Sequence, residues 1–555
     1  MVSATTETTD KSLEASFQQS RSPVFARGGM VAAAHPLAVA AGIDALRKGG
    51  NAMDAAIAAA MTTAVVIPAM NGLGGDCFMI YWDNKKKQAT AVNGSGIAPR
   101  SVDREWFVSR GYEKMPFYGP LSISVPGAVA AYFWAIENHC KLSVDELFAH
   151  GIHYAEKGFP LSVAGARMIR TAAGELSKYP SSAAVFLKNG QPPSPGDALV
   201  QSNLAETMRQ VARGGPELFY DGELAERIGA AIQEAGGELS SADFAGPQSE
   251  IYEPIATDYR GFTVYETRPP SQGVIVLEEL NILEQADLAA LGHNTADALH
   301  LMIEAKKRAF ADRLAYTRDP NFGDVPLDTL LSKEFAAQRY ATIDMGKATE
   351  KVEPGALPET SGDTTYLCTA DGEGNMVSLI TSLSAGFGSH FVAGDTGVLL
   401  NNRAGRGFSL VEGHPNVIEP GKRTMHTLNC YAIGKDGEIH LVGGTPGGDQ
   451  QPQWNMQVIT NMIDYGMDVQ AAVEAPRWIS FPGTDPINIE NEFVVRAESR
   501  ISAEALDGLR QRGHRVEVLE PFGAGGSMFV ISRDPATGVL QGGADPRSEG
   551  LALGI

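Results

Sequence analysis

Hydrophobic residues recur at helical spacing near the start of the chain, in the stretch "HPLAVAAGIDALRKGGNAMDAAIAAAMTTAVVIP". The spacing runs up to Leu46, "KGGN" ends that helix, and Asn51 can cap the next one. The pattern predicts a hairpin of two helices, closely packed because alanine is so frequent. The following "NGLGGDCFMIYWD" predicts a glycine turn that leads into a strand.

The middle of the chain, residues 142–331, is predicted to be mostly helical. Its clearest helix is "NTADALHLMIEAKKRAFADRLAY", with Asn294 or Thr295 as the capping residue. Two segments are expected to lack packed structure. Residues 1–27 are polar and acidic and read as a disordered leader, and residues 343–363 read as a flexible linker with few large apolar side chains.

Beyond this linker the pattern changes from helical to alternating. Residues 364–383 predict a strand, a turn at "DGEGN" and a second strand, and more strands and glycine turns follow up to Gly448. A helix is predicted at "QWNMQVITNMIDYG". Helices mixed with antiparallel strands predict an α/β fold, a four-layer αββα sandwich to which residues 28–363 and 364–555 both contribute.

Composition and charge narrow the class of protein. The chain has 555 residues, of which 43% are hydrophobic and 61 are glycine, enough for a large core with many tight turns. Its formal net charge of −21 argues against a nucleic-acid partner. The N-terminal segment lacks a secretory signal and no run of about 20 apolar residues occurs, so we expect a cytoplasmic protein without a membrane span.

The four cysteines are widely scattered along the chain and form no CxxC motif. Neither they nor the histidines have a spacing that suits zinc, so we expect buried or inert thiols and no metal. They are Cys77, Cys140, Cys368 and Cys430.

The junction between linker and strand carries candidate chemistry. Threonine is a poor nucleophile unless a base lies beside it, and its own α-amine can be that base only when it begins a chain. A flexible linker ending at Thr364 therefore suggests that the chain cuts itself between Asp363 and Thr364. In that reaction the Thr364 hydroxyl attacks the preceding carbonyl and water releases the new amine. The alternative is an ordinary loop before an ordinary strand.

A set of ordered motifs extends from about Gly28 to the C-terminus. They are "GGNAMDAAIAAA", "GLGGDCFMI", "SVPGAVAAY", "DYRGFTVYETRPPSQGVIVLEELNILE", "DTTYLCTADGEGNMVSL", "GDTGVLLNN", "PGKRTMHTL", "GTPGGDQQPQ" and "GGADPRSEG". Because of these motifs, the chain resembles the γ-glutamyltranspeptidase family of N-terminal nucleophile hydrolases.

The resemblance implies roles for particular residues. Thr364 matches the nucleophile, Thr365 the second family threonine, and Ser382 a hydroxyl residue that orients the nucleophile. Gly447 and Gly448 match a glycine pair whose N–H groups form the oxyanion hole, where the lack of a side chain leaves the approach open. It also implies self-cleavage into two chains that form a heterodimer, with a dimer of heterodimers left open, and no cofactor.

The sequence departs from the family where γ-glutamyl enzymes bind their substrate. Ser95 stands where they have an arginine for the α-carboxylate, and the loop "NNRAGRGFSL" has Arg403 and Arg406 where they have an aspartate for the α-amine. Ser384 replaces an asparagine. The two arginines could attract an acid without an amine, or could be solvated loop charges.

Two further substrate-site positions differ, because His426 and Thr427 stand where the family has serines. His426 could donate to substrate or be structural.

The departures resemble branches of the family that are amidohydrolases of small acids such as oxamate, or of acyl side chains. The resemblance therefore implies an amidohydrolase that cleaves the amide of a small acid through an acyl-threonine intermediate, mainly by hydrolysis. Two alternatives stay open. One is a true γ-glutamyltransferase or glutathione hydrolase with a rearranged pocket. The other is an unprocessed, non-catalytic binding scaffold.

Overall fold

The computed structural model of the uncleaved chain describes residues 17–246, 248–352, 364–483 and 492–555. The helices are α1 (Pro36–Arg47), α2 (Ala52–Val66), α3 (Arg104–Val108), α4 (Ala128–His139), α5 (Val144–Lys157), α6 (Val163–Leu176), α7 (Pro180–Phe186), α8 (Ser202–Tyr220), α9 (Glu223–Glu234), α10 (Ser241–Phe244), α11 (Gly273–Leu283), α12 (Leu288–Leu291), α13 (Ala296–Tyr316), α14 (Leu327–Leu330), α15 (Lys333–Ala341), α16 (Arg403–Gly407), α17 (Gln450–Ile463), α18 (Val469–Glu474) and α19 (Ala503–Gln511).

The strands are β1 (Val24–Ala26), β2 (Gly29–Ala33), β3 (Asp76–Asp83), β4 (Gln88–Gly94), β5 (Phe159–Pro160), β6 (Ala198–Leu199), β7 (Glu250–Tyr252), β8 (Ile255–Tyr259), β9 (Phe262–Glu266), β10 (Thr365–Asp371), β11 (Met376–Ser382), β12 (Tyr431–Lys435), β13 (Glu438–Gly444), β14 (Trp478–Phe481), β15 (Val494–Glu498), β16 (Arg515–Leu519), β17 (Phe529–Arg533), β18 (Leu540–Ala544) and β19 (Leu551–Gly554).

Two seven-stranded sheets form the centre of the molecule. Their strand orders are β19-β2-β10-β11-β3-β4-β7 and β1-β18-β17-β13-β12-β9-β8. Alternate side chains of each strand point into the space between the sheets, as the two-residue period of a strand requires. Cys368 and Ile380 of the first sheet join Val442 and Ile531 of the second in one buried cluster.

The other face of each sheet is covered by helices. On the first sheet, Leu367 and Leu379 belong to a large apolar cluster that includes α1, α2, α4 and α5. On the second, Val264 and Leu441 belong to a cluster that includes α11, α13, α17 and α19. The layers run helix, sheet, sheet, helix, so the predicted αββα sandwich is confirmed.

The hairpin β10–β11 lies at the middle of the first sheet. Thr365 pairs with Thr381, β2 flanks β10, and β3 flanks β11. All residues of both strands are buried. The residue before β10, Thr364, is therefore held at the end of a central strand rather than on the surface. In the second sheet the segment after β13 leads directly into Gly447.

Most predicted elements are present. The helical hairpin is formed by α1 and α2, with Asn51 in a capping box at the start of α2. The β10–β11 hairpin and α17 are also confirmed. The cap of α13 is Thr295, whose hydroxyl accepts from the Ala298 N–H. Asn294 instead has a positive φ of 55°.

The two segments expected to lack structure are each partly ordered. Residues 24–26 of the expected leader form β1, and residues 1–16 lie outside the described residues. In the expected linker, the Ala348 N–H donates to the Arg512 carbonyl at 2.7 Å and Thr349 N–H to Glu304 Oε1 at 3.1 Å. Packing against α13 therefore fixes the start of this segment, while residues 353–363, with Asp363, lie outside the described residues.

Among the described helices, none combines the length and the apolar composition that a membrane crossing would need. The four cysteines are free thiols. Three of them are buried, and Cys140 is half-buried.

Candidate active site

Thr364 lies at the centre of the candidate site. Its side chain is fully buried, and its hydroxyl donates to Ser382 Oγ at 3.1 Å. The same Ser382 oxygen accepts from the Ser384 N–H at 2.8 Å. Because the β10–β11 register places the starts and ends of these strands side by side, Ser382 holds the Thr364 hydroxyl in one orientation.

Gly447 and Gly448 form a turn in front of helix α17. Their φ angles are +138° and +57°, in the region that favours glycine. Their carbonyls accept from the N–H groups of Gln450 and Gln451 at 3.0 and 3.2 Å, so the carbonyls face the helix. Gly447 and Thr364 border the same cavity. This arrangement brings a glycine turn at a helix N-terminus, where negative charge is stabilised, beside the Thr364 hydroxyl.

Arg403 and Arg406 belong to the short helix α16 and are both almost fully buried. The alternative of solvated loop charges is wrong. Arg406 Nη1 donates to the Ser384 carbonyl at 3.2 Å, and both guanidinium groups lie within hydrogen-bonding distance of Thr427 Oγ1, at 3.2 and 3.5 Å. The two arginines therefore converge on the segment that follows Ser382.

A buried carboxylate, Asp76 at the start of β3, neutralises part of this charge. It accepts from Arg403 Nε at 3.1 Å, from His426 Nε2 at 3.0 Å and from the Gly96 N–H at 3.2 Å. Burial alone would raise the pKa of Asp76, but His426 and Arg403 outweigh burial and lower this pKa below its usual value. Asp76 is ionised, and its oxygens are already used by the protein.

His426 is a structural member of this cluster rather than a free donor. Its Nδ1 accepts from the Leu428 N–H at 3.3 Å, so the proton lies on Nε2 and points to Asp76. Burial and the charge of Arg403 lower the pKa of His426 to about 4. The ring is therefore neutral at pH 7 and both of its nitrogens are engaged.

Gln272, at the N-cap of α11, connects the arginine side of the site to the glycine turn. Its Nε2 donates to the Thr427 carbonyl and, at 2.9 Å, to the Gly448 carbonyl. Hydrogen bonds thus run without interruption from Thr364 through Ser382 and Ser384 to Arg406, and on through Thr427 and Gln272 to Gly448. The nucleophile candidate, the arginines and the glycine turn share one network.

Arg313 of α13 fixes the residue after the glycine turn. Its Nη1 donates to Asp449 Oδ1 at 2.8 Å, and both groups are buried. Its Nε and Nη2 contact the sulfur of Met425, which is next to His426. Arg313 therefore links the glycine turn to the segment before β12 that carries His426 and Thr427.

The remaining predicted residues have simpler surroundings. The Ser95 hydroxyl donates to Asn93 Oδ1 at 2.6 Å and its carbonyl accepts from Arg423 Nε at 2.9 Å, so it is used in a local turn. The Thr365 and Ser384 hydroxyls are buried and make no hydrogen bond within the described part of the chain. The Ser384 backbone has a positive φ of 87°.

The sequence reasoning missed Asp76, Gln272, Arg313 and Asp449. Asp76 lies inside the motif "GLGGDCFMI" and Gln272 inside "RPPSQG", but neither motif indicates what these two residues do. The missing signal is spatial, because Asp76 and Arg403 are 327 positions apart in the chain.

A cavity of about 610 Å³ opens on the other side of Thr364. Thr364 and Gly447 border it, together with apolar residues of α2, α6 and the loop after α2, such as Val66, Met70 and Met168. Neither arginine of α16 lines it.

One group of side chains in the described residues is close enough to hold a metal ion, namely His300, Glu304 and His514. It shares no residue with the network around Thr364. Glu304 already accepts from Lys307 and Arg308 at 2.8 and 2.7 Å, and His300 Nε2 lies 2.9 Å from the Asp344 carbonyl. Two cations beside the carboxylate disfavour a divalent ion, and the group serves to anchor the segment after α15.

Comparison with known proteins decides the family. The family model described as Gamma-glutamyltranspeptidase matches residues 38–555. The chain belongs to the γ-glutamyltranspeptidase family. This family's members are amide hydrolases and acyltransferases with an N-terminal nucleophile fold, and the chain is an enzyme of that class.

Relatives in the γ-glutamyltranspeptidase family match almost the whole of this chain. A Glutathione hydrolase-like YwrD proenzyme of Bacillus subtilis is 38% identical over 95% of this chain and 98% of that protein. An Oxamate amidohydrolase proenzyme of Klebsiella pneumoniae is 34% identical over 95% of this chain and 98% of that protein. The crystal structure of a cephalosporin acylase from Bacillus halodurans superposes with a TM-score of 0.90 at 38% identity, covering 97% and 98% of the two chains.

Proposed function

We propose that this protein is a self-processed threonine amidohydrolase that cleaves the amide of a small acid and transfers the acyl group mainly to water. The chain cuts itself between Asp363 and Thr364 and forms a heterodimer of two segments, residues 1–363 and 364–555. The names of the two sequence relatives, both proenzymes and one of them an oxamate amidohydrolase, support this proposal.

One observation carries the choice of substrate. The loop that in γ-glutamyl enzymes supplies an aspartate for the substrate amine has two buried guanidinium groups here, those of Arg403 and Arg406. An ammonium group in this place would be repelled, whereas a carboxylate would gain charge-assisted hydrogen bonds. Asp76 offers no replacement for the aspartate, because its oxygens already accept three hydrogen bonds from the protein.

In the proposed reaction, groups of this chain act on the substrate and on one water molecule. After cleavage the Thr364 α-amine is free and takes the proton of the Thr364 hydroxyl as that oxygen attacks the amide carbonyl. The N–H groups of Gly447 and Gly448 stabilise the oxyanion, and Ser382 keeps the hydroxyl in line. The Thr364 amine then returns the proton to the leaving nitrogen, and water hydrolyses the ester.

The test is a comparison of acyl groups on the mature enzyme. We expect kcat/KM for an oxalyl or glutaryl amide to exceed that for the γ-glutamyl amide of the same amine by at least about tenfold, roughly 1.4 kcal/mol. Arg406→Gln should lower this ratio, because Arg406 contacts both Ser384 and Thr427. Lys85→Gln, which removes an exposed positive charge, is the control and should leave the ratio unchanged.

A preference for the γ-glutamyl amide that survives Arg406→Gln would overturn this choice and favour a true γ-glutamyltransferase. An uncut chain without amidase activity would instead favour a binding scaffold.

We further propose that the enzyme works in the cytoplasm, which fractionation of cells that express it would test.

A further inference from the structure

The cavity beside Thr364 and the arginine cluster approach the nucleophile from different sides. Thr364 and Gly447 border the cavity, whereas Arg403, Arg406 and Thr427 do not. Thr364 contacts the arginine side through Ser382 and Ser384. An amide whose carbonyl lies at Thr364 and Gly447 therefore has one substituent toward each side.

The wall of the cavity is mainly apolar and its polar groups are largely occupied. The side chain of Arg547 is fully buried and bound to Glu498 and Asp545 at 2.7 and 3.0 Å. Arg167 and Glu549 have opposite signs and are exposed at the mouth, where solvent screens them. The apolar wall includes Val66, Ile67, Met70, Ala164, Met168 and Pro446.

His35 adds a neutral donor to this wall. Its Nδ1 accepts from the Leu37 N–H at 3.2 Å, and burial lowers the pKa of the ring. The proton therefore lies on Nε2. A neutral donor in an apolar wall suits an uncharged ligand that carries an oxygen or nitrogen acceptor.

The volume of about 610 Å³ is the size of pockets that hold drug-sized molecules, far more than an oxalyl group fills. We propose that the cavity binds the leaving amine, and that this amine is bulky, uncharged apart from its reacting nitrogen, and mostly apolar. This inference rests on the proposed function, because it assigns the acid substituent of the carbonyl to the arginine side.

The bonds made and broken agree with this placement. The Thr364 oxygen forms a bond to the carbonyl carbon as the carbon–nitrogen bond breaks. The hydroxyl proton passes through the Thr364 amine to the leaving nitrogen. The free amine then lies in the cavity and leaves through its mouth, while the acyl group stays on Thr364 until water releases the acid.

The experiment varies the amine while the acyl group is fixed. The acyl group is the one the mature enzyme hydrolyses fastest in the panel above, so failure of the acid-amide proposal leaves this comparison intact. Methylamine and phenethylamine have similar basicity and differ mainly in size. We expect kcat/KM for the phenethylamide to exceed that for the methylamide at least tenfold.

Variants on helix α6 locate the effect. Met168→Ser removes part of the apolar wall and should lower the phenethylamide-to-methylamide ratio at least fivefold. Val163→Ser is the matched control, because Val163 lies on the same helix, is 69% exposed and does not line the cavity. It should leave the ratio unchanged.

Equal kcat/KM values for the two amides would overturn the proposal, as would a ratio unaffected by Met168→Ser. A third result would also overturn the proposal: if Met168→Ser lowered kcat/KM for substrates with a longer acyl group, the acyl group rather than the amine would occupy the cavity.

Discussion

The two sides of Thr364 are built in opposite ways. On the Ser382 side, the buried groups Arg403, Arg406, Asp76 and Thr427 are held by hydrogen bonds from four separate segments of the chain. On the other side an open cavity of about 610 Å³ has a mainly apolar wall. In the proposed function, the fixed charges on the first side select the acid head group, and the apolar cavity accepts amines of many shapes.

The largest effect is expected from substitution of Thr364, the nucleophile that both sides share. Thr364→Ala should abolish both self-cleavage and amide hydrolysis, because no hydroxyl remains to attack either carbonyl. Thr364→Ser should retain both at reduced rate. Denaturing gel analysis and an activity assay measure these effects. Cleavage at the normal site in Thr364→Ala would contradict the account.

The glycine turn is the second shared feature. A Cβ on Gly447 would lie 2.4 Å from Cζ3 of Trp454, so Gly447→Ala must displace the turn. We expect a loss of about 100- to 1,000-fold in kcat, the cost of one oxyanion donor.

Gly437→Ala is the control for the glycine-turn variant. Gly437 also has a positive φ, of 77°, but no atom lies within 4 Å of its added Cβ. Near-normal turnover in Gly447→Ala would place the oxyanion hole elsewhere.

Arg313 connects the two sides indirectly, through Asp449 and Met425. Arg313→Met should loosen the turn and lower kcat about 10- to 100-fold with a smaller change in KM. Arg308→Met removes a comparable buried ion pair on the same helix, to Glu304, and should destabilise the protein without this effect on kcat. Equal kcat losses in both variants would show a general structural effect.

The last expected effect concerns the pH dependence of stability rather than the rate of catalysis. The folded-state pKa of His426 is about 4, below the ordinary value of 6.5. As the pH falls below 6.5, unfolded chains take up a proton that the folded state cannot accept until about pH 4, so stability is lost across this window, by up to about 3 kcal/mol.

His426→Gln keeps a donor for Asp76 and should flatten this loss, and His153→Asn at an exposed position should not. Urea unfolding at pH 7 and pH 4.5 measures the difference. An equal loss in His426→Gln and wild type would show that His426 is not held neutral by the fold.

The sequence allowed the layers of the fold and the central residues to be predicted, because both depend on local patterns. Period-two alternation gave β10 and β11, helical spacing gave α1 and α2, and the linker–threonine junction singled out Thr364. The glycine pair followed from the resemblance of the motif "GTPGGDQQPQ" to the γ-glutamyltranspeptidase family.

The arginine cluster could be predicted only in part. The substitutions in "NNRAGRGFSL" indicated a changed head-group site, but the burial and direction of the side chains depend on Asp76, which is 327 positions away from Arg403. Gln272 meets Thr427 across 155 positions. The cavity is formed by the ends of several elements, and no single stretch of sequence carries its pattern.

Intact-mass spectrometry of the denatured, active protein tests the central claim most directly. We predict two masses, one of them matching the chain from Thr364 to Ile555, and N-terminal sequencing of that chain should read TTYLC. A single mass for the full 555-residue chain in protein that hydrolyses amides would contradict the account, because Thr364 could not then use its own amine as base.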